Sequence, residues 1–328
     1  MVNEVEKGIY TFKIALPDNP LRWLNCYVIK GGPGQRNLLI DSGFHRQECL
    51  EDLLAGMKEL ELDPSDTDVF FTHAHSDHTG NGFELAELGC RLFMGETDYA
   101  VMRSGYVPER WDGMARVMGV PGRLCDVLIN VNPANDLKPK PFKADFVDCG
   151  KDLLRYGGRE LECILTPGHT PGHICLYDRA DGLMFTGDNV LFDITPNITA
   201  WPELADPLGS YLECLEGLKH YEVRRAFPAH RTQGDKTMYQ RICEIQKHHD
   251  FRLAEAASLV SEYPEGVNAW ELAGRMTWKI HSKNWDDFPN TQKWFAVGES
   301  LSHLQHLQAQ GILRCEDRGE QGQVFFSC

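Results

Sequence analysis

The nine residues Thr72-His73-Ala74-His75-Ser76-Asp77-His78-Thr79-Gly80 constrain this chain more than any other stretch. Four groups able to ligate a metal fall within six residues, directly after the apolar run Asp68–Phe71. On a regular helix these spacings would splay the side chains around the axis; at a strand end followed by a turn they can converge on one point. The segment therefore asks for a buried strand that stops at a sheet edge and opens into a loop. Imidazole and carboxylate are donors that suit zinc and similar divalent ions. Alone, the segment could be a solvated polar loop. Three further ligand-type residues weigh against that: His169 in Thr166-Pro167-Gly168-His169, Asp188 in Thr186-Gly187-Asp188, and His230 in Pro228-Ala229-His230. Each follows a predicted strand, and a motif in its structural context is far stronger than the motif alone.

The surrounding pattern is α/β. Ile9–Ile14, Asn25–Ile29 and Asn37–Ile40 read as strands, the last two joined by the Gly31-Gly32-Pro33-Gly34 turn. Gln47–Leu60 has helical spacing, with apolar residues at 50, 53, 54, 57 and 60. Gly80-Asn81-Gly82 reads as a flexible turn beside the histidines, with a short helix over Glu84–Leu88. Thr97–Val120 is a helical stretch that Pro108 should interrupt. Strand patterns return at Glu160–Leu165, Ile174–Tyr177 and Leu183–Thr186, with an Asp181-Gly182 hairpin turn. Tyr211–Leu218 reads as a helix and Arg224–Phe227 as a strand. The texture changes near residue 247. Helical stretches Phe251–Tyr263, Ala269–Met276 and Thr291–Gln310 then precede a strand–turn–strand over Leu313–Phe326, the outline of a winged helix. Two domains are expected, 1–247 and 248–328.

Charge limits the partners. The 328 residues carry a net charge of −15 and a pI near 5.3, which disfavours nucleic acid and anionic membranes, because phosphate binding needs a basic face. Residues 250–328 hold seven Lys/Arg against eleven Asp/Glu, so the tail is expected to be a cap or homo-oligomerisation module, not a DNA reader. No run of 18 apolar residues suggests a membrane span. The opening MVNEVEKGIYTFKIALPDNP lacks a basic region followed by an apolar one. Eleven cysteines without a C-x-x-C pair then read as reduced thiols of a cytoplasmic protein.

The order Asp41-Ser42-Gly43, H-x-H-x-D-H, Thr166-Pro167-Gly168-His169, Gly187-Asp188 and P-x-H resembles the metallo-β-lactamase superfamily over residues 1 to about 247. That resemblance implies an αββα sandwich with its site at one edge of two packed sheets. It implies that His73, His75 and His169 bind one ion. It gives Asp77, His78 and His230 the second and makes Asp188 a bridge. Zinc is the expected ion, with iron or manganese as alternatives. Asp41 matches the family's early aspartate and is expected to orient a ligand histidine; His173, four residues after His169, is expected to support the site or the fold from behind the ligands and not to bind a further metal. The tail, through His249-Asp250-Phe251-Arg252 and Gly298–Leu304, resembles the winged-helix-like extension of the family's β-lactamase-like endoribonuclease branch. Ala229 stands where the family commonly has Gly, which is tolerable unless the backbone there needs positive φ. Flavodiiron oxygen reductases place Glu at the position of His75, and persulfide dioxygenases use a single iron, so the seven filled positions favour a hydrolase.

Two cations sharing a water would lower its pKa and yield a metal-bridging hydroxide, with Asp77 binding one ion and orienting the water or taking its proton. The expected substrate is a small ester, thioester or lactone. A phosphodiesterase or endoribonuclease is the alternative, and a DNA-binding regulator with a relict metal site is the alternative of another class. Tyr106, Trp111 and Met114 are candidates to line a substrate pocket, although an aromatic stripe at near-helical spacing more often packs. His248, His249, His303 and His306 are expected on partly exposed helix faces.

Overall fold

The computed structural model describes residues 1–104, 108–130, 137–279, 282 and 284–328. Four strands, β1 (Asn3–Glu6), β2 (Ile9–Ala15), β3 (Trp23–Ile29) and β4 (Asn37–Ile40), pair antiparallel in succession. After α1 (Gln47–Glu59), β5 (Thr67–Phe70) adds in parallel to β4. Two short helices, α2 (Ser76–Thr79) and α3 (Gly82–Glu87), lead to β6 (Arg91–Met94), parallel to β5. Helices α4 (Glu96–Ser104), α5 (Pro108–Val117) and α6 (Gly122–Asn130) precede β7 (Asp145–Phe146), which closes a seven-stranded sheet.

β8 (Leu153–Tyr156), β9 (Arg159–Leu165), β10 (Ile174–Asp178) and β11 (Leu183–Gly187) form an antiparallel meander. After α7 (Pro207–Leu218), β12 (Arg225–Pro228) joins β11 in parallel to complete a five-stranded sheet. The two sheets share one core. Ile9, Tyr27, Ile29, Leu38, Ile40 and Phe70 of the first meet Leu161, Ile174, Leu176, Leu183, Phe185 and Phe227 of the second. Tyr27, Phe185 and Phe227 pack as an aromatic trio with centroids 4.9–5.5 Å apart. Alternation along β2 explains the outer layer, since Phe12 and Ile14 point away from the inter-sheet core. Gly56 of α1 lies so close to the Phe12 ring that an added Cβ would sit 2.5 Å from it. Buried polar links join the sheets as well: Tyr156 Oη donates to Asp68 Oδ2 at 2.6 Å, and Tyr27 Oη to the Pro228 carbonyl at 2.8 Å.

The chain continues through α8 (Met238–Ser261), β13 (Val267–Asn268), α9 (Ala269–Ala273) and α10 (Asn290–Ala309) into the hairpin β14 (Leu313–Asp317)–β15 (Gln323–Ser327). β13 pairs with β15, giving a three-stranded sheet β13-β15-β14. An Asn268/Glu271 capping box starts α9.

The chain packs as two compact units, and they do not follow a single cut at residue 247. The first comprises Met1–Ser104, Leu137–Pro196 and Gly217–Ile242; the second comprises the described parts of Gly105–Asp136, Asn197–Glu216 and Cys243–Cys328. The change of texture near 247 falls inside the continuous helix α8. Moreover, α5, α6 and most of α7 belong with the C-terminal elements. Both sheets of the sandwich lie in the first unit.

Candidate metal centre

All seven ligand-type residues emerge just beyond the C-terminal ends of strands. The fully buried Thr67–Phe70 run of β5 ends just before Thr72 and His73. β9 feeds the loop with His169, β11 delivers Asp188, and β12 delivers His230. Because β4 and β5 are parallel, and β11 and β12 likewise, their C-terminal ends open on the same side of each sheet. The loops converge there, as ligand sites in open α/β sheets generally do.

Three ring nitrogens meet at one point. His75 Nδ1 lies 3.0 Å from His73 Nε2 and 3.0 Å from His169 Nε2. Tetrahedral coordination with metal–nitrogen bonds of about 2.0–2.1 Å would space such nitrogens by about 3.3 Å, so the spacing is that of a coordination triad. A second group lies alongside. His230 Nε2 is 3.3 Å from Asp77 Oδ2, and His78 Nε2 is 3.8 Å from the same oxygen. Asp188 faces both groups: Oδ1 is 3.7 Å from His78 Nε2 and 3.5 Å from His230 Nε2, while Oδ2 is 3.6 Å from His169 Nε2.

The remaining hydrogen bonds fix which nitrogen faces inward. Asp41 Oδ2 lies 2.8 Å from His78 Nδ1. A carboxylate only accepts, so Nδ1 carries the hydrogen and Nε2 presents its lone pair. The Trp23 carbonyl does the same for His230 Nδ1 at 3.0 Å. Asp41 also accepts from the Thr72 N–H and hydroxyl, and Thr72 Oγ1 lies 3.0 Å from His73 Nδ1. To do this Asp41 adopts φ +62°, a conformation unusual for a residue with a Cβ. His173 accepts the Asp188 N–H at Nε2 (3.1 Å), and its Nδ1 lies 2.7 Å from Thr166 Oγ1. Both its nitrogens are thus engaged away from the cluster, and it holds the Asp188 backbone.

Electrostatics and satisfaction both call for cations. Burial, then repulsion from His78, His75 and His169, pushes His73 well below the ordinary imidazole range. Burial chiefly takes His75 down to about 3. Their rings are therefore neutral and free to donate lone pairs. Burial opposes the Asp77 charge, yet His78 and His230 pull it down to about 2. Burial would also lower His78 and His230, but the surrounding carboxylates hold both above the usual value. His78 Nε2, His230 Nε2 and Asp188 Oδ1 are buried without a hydrogen-bond partner. Buried orphans cost about 1–3 kcal/mol each, and three of them aimed at one another form a donor set that a cation would satisfy. Three overlapping triads, His73/His75/His169, His73/His78/Asp188 and Asp77/His78/His230, each have donor atoms within 4.8 Å of one another. The residues fit divalent metals.

Of the other expected residues, Trp111 lies in the second unit, its ring edge-on to Trp294 with centroids 5.5 Å apart. Tyr106 lies outside the described residues. Ala229 is absent from the positive-φ positions, so it costs nothing where the family commonly has Gly. His249 and His303 are not on exposed faces: they are 1% and 0% exposed, with His249 Nδ1 3.3 Å from His303 Nε2. Two contributors escaped the sequence reading. The Trp23 carbonyl is a backbone group and leaves no residue-type signal. Asp98, fully buried in the first turn of α4, reads in sequence as an ordinary helix-start acid.

The fold and the cluster define a class: an αββα sandwich with a His/Asp metal cluster at one edge. A family model described as "Metallo-beta-lactamase superfamily" matches residues 24–230. The chain belongs to this superfamily. A metallo-beta-lactamase family protein from Thermus thermophilus superposes with TM-score 0.80 at 24% identity, covering 99% of this chain and 100% of that one. A beta-lactamase domain protein from Burkholderia ambifaria does so with TM-score 0.84 at 26% identity, covering 100% and 94%. Among curated relatives, the lactamase-like protein aptB of Emericella nidulans is 26% identical over 74% of this chain. The atrochrysone carboxyl ACP thioesterase of the same organism is 26% identical over 66%. The chain spans 62% and 53% of the lengths of these two relatives.

Proposed function

We propose that this chain is a dinuclear metal-dependent hydrolase of a small thioester, ester or lactone. The observation that carries the reading is the convergence of His78 Nε2, His230 Nε2 and Asp188 Oδ1, buried and unpartnered, beside the His73/His75/His169 triad. In this reading His73, His75 and His169 would hold one ion and Asp77, His78 and His230 the other, with Asp188, whose Oδ1 faces His78 and His230 and whose Oδ2 faces His169, available to both. Zinc suits this nitrogen-rich set, with iron or manganese as alternatives. Two divalent ions there would supply Lewis-acid charge, lowering the pKa of a water and polarising a carbonyl.

The chain's own groups do the rest. Asp41 and the Trp23 carbonyl keep the His78 and His230 rings in the tautomer whose Nε2 faces the cluster. Asp77, held down to about 2, stays an anion across the physiological range, so its carboxylate can hold a cation and orient a water, while so low a value makes it a poor proton acceptor. His173 fixes Asp188 through the backbone N–H. Among the three acyl classes, the relative named as an ACP thioesterase favours the thioester.

The C-terminal helices with their three-stranded sheet support a winged-helix-like accessory module that serves as a cap or homo-oligomer contact. Its charge balance of −4 over residues 250–328 argues against nucleic acid there. Among the described residues no helix is long and apolar enough to cross a membrane, and a cytoplasmic enzyme of metabolites accords with the acidic chain.

The test is a substrate panel of an acyl-thioester, a lactone, a β-lactam and a single-stranded RNA with zinc-loaded protein. Thioester or lactone hydrolysis that chelation abolishes and zinc restores is the expected result. Turnover indifferent to chelation, or cleavage of RNA alone, would contradict the reading.

A further inference from the structure

Asp98 is a buried acid that bonds to the ligand-bearing loops and that the metal chemistry leaves without a role. Its side chain is fully buried, and its oxygens accept from two separate ligand loops. Oδ2 takes the Ala74 N–H at 2.8 Å and the Thr170 hydroxyl at 2.6 Å; Oδ1 takes the Gly172 N–H at 2.5 Å. Ala74 lies between His73 and His75, and Thr170 directly follows His169. One carboxylate therefore grips the backbone on both sides of the triad whose nitrogens lie 3.0 Å apart. The contact is tight. A Cβ on Gly172 would lie 2.6 Å from the Asp98 nitrogen and 2.8 Å from Oδ1, and one on Gly95 would lie 3.0 Å from the Gly172 carbonyl oxygen.

The other ligands are held differently. His78 and His230 are oriented by Asp41 and the Trp23 carbonyl, and Asp188 by His173. We propose that Asp98 is a positioning residue that serves the His73/His75/His169 triad selectively, setting the separation of the two loops and so the affinity of one ion and not the other. This rests on the dinuclear reading above. Partners behind metal ligands typically govern affinity by about 10–100-fold. Asparagine in place of Asp98 keeps one acceptor but turns an NH2 group toward either the Ala74 or the Gly172 N–H. One backbone donor then faces another donor.

The experiment is cobalt(II) titration of full-length protein followed by its d–d absorption. Asp98→Asn and Thr170→Val are compared with wild type, and His169→Ala and His230→Ala assign each band to its triad. In Asp98→Asn the band lost in His169→Ala should need at least about tenfold more cobalt, while the band lost in His230→Ala titrates as in wild type. Circular dichroism establishes that the variant is folded. Should it not fold, Thr170→Val, which removes only the hydroxyl, carries the test with a severalfold loss at the same band. Unchanged titration of both bands, or equal weakening of both, overturns the selective role while leaving the metal centre intact. Absence of any band in wild type overturns the dinuclear reading itself, and this inference with it.

Discussion

At the scale of residues, the site is built on pairs in which one atom of a side chain is tied down so that another can act. His78 is the clearest case, its Nδ1 held by Asp41 at 2.8 Å and its Nε2 left bare. Replacing one of these residues should therefore act on metal before fold: His75→Ala is expected to lose about a hundred- to a thousandfold in turnover, the scale on which removal of a transition-state-stabilising group acts, with unchanged circular dichroism. Full activity in a metal-depleted His75→Ala protein would contradict the assignment. Asp68 is the structural counterpart, fully buried and bonded to Arg36 Nε (2.6 Å), Arg91 Nε (2.8 Å) and Tyr156 Oη (2.6 Å). Burial opposes its charge, but these three donors hold its carboxyl below the usual value. A depressed folded-state pKa contributes stability above the unfolded value, and that contribution is lost as pH falls through the folded value. Asp68→Asn should thus cost about 3 kcal/mol at pH 7, the scale for breaking a buried charge network. The gap to wild type should close below about pH 4. Urea melts at pH 7 and pH 3 check both; a gap independent of pH would contradict the charge argument. The seven His and Asp residues singled out in the sequence do lie together in the structure, because donor chemistry is written in residue types. Asp98 was not, because its role is set by which loops the fold brings to it.

At the scale of elements most strands were legible, and the four-residue β4, β5 and β12 were read from the turn or ligand motif beside them, whereas short strands without such a neighbour were not. β2, β3, β4, β9, β10 and β11 fall within a residue or two of expectation. β6 (RLFM) and β8 (LLRY), four residues each, are too short to show a period. Gly80-Asn81-Gly82 was expected to be a loose turn. Instead Gly80 is helical, φ −54°, and a Cβ there would collide with the His45 nitrogen and the Gly43 carbonyl oxygen. The α2 region is thus packed against the loop that follows Asp41. Gly80→Ala should destabilise by about 1–3 kcal/mol, as overpacking does, and weaken metal binding by displacing His78; wild-type stability would refute the close approach. The buried histidines of the C-terminal unit were misread because α10 shows no clean polar face, with Trp294, Val297, Ser300, His303 and Leu307 all buried. Burial, with His303 and then His248 nearby, holds His249 well below its usual value, and burial chiefly takes His303 down to about 3. Depressed imidazole values mean the unfolded chain binds protons that the folded one refuses. Stability should then fall below about pH 6.5, by about 1.4 kcal/mol per pH unit for each group. His303→Gln should flatten that slope between about pH 6.5 and 5 in thermal melts, and an unchanged slope would contradict it.

For the whole molecule, the outline of an α/β sandwich followed by helices and a hairpin was readable because periodicity and turn residues are local signals. The discontinuous makeup of the two units was not, since α5, α6 and α7 join the C-terminal elements through contacts distant in sequence. Metal binding should couple to global stability by mass action: an ion present at about 1,000 times its dissociation constant adds about 4 kcal/mol, so chelation should lower the melting temperature by several degrees. The central claim is that the seven residues form one dinuclear site, and zinc per chain after exhaustive dialysis, counted by elemental mass spectrometry, tests it most directly. Two ions in wild type and fewer than one in Asp188→Ala are predicted. No zinc in wild type, or two ions retained without the Asp188 carboxylate, would contradict the account.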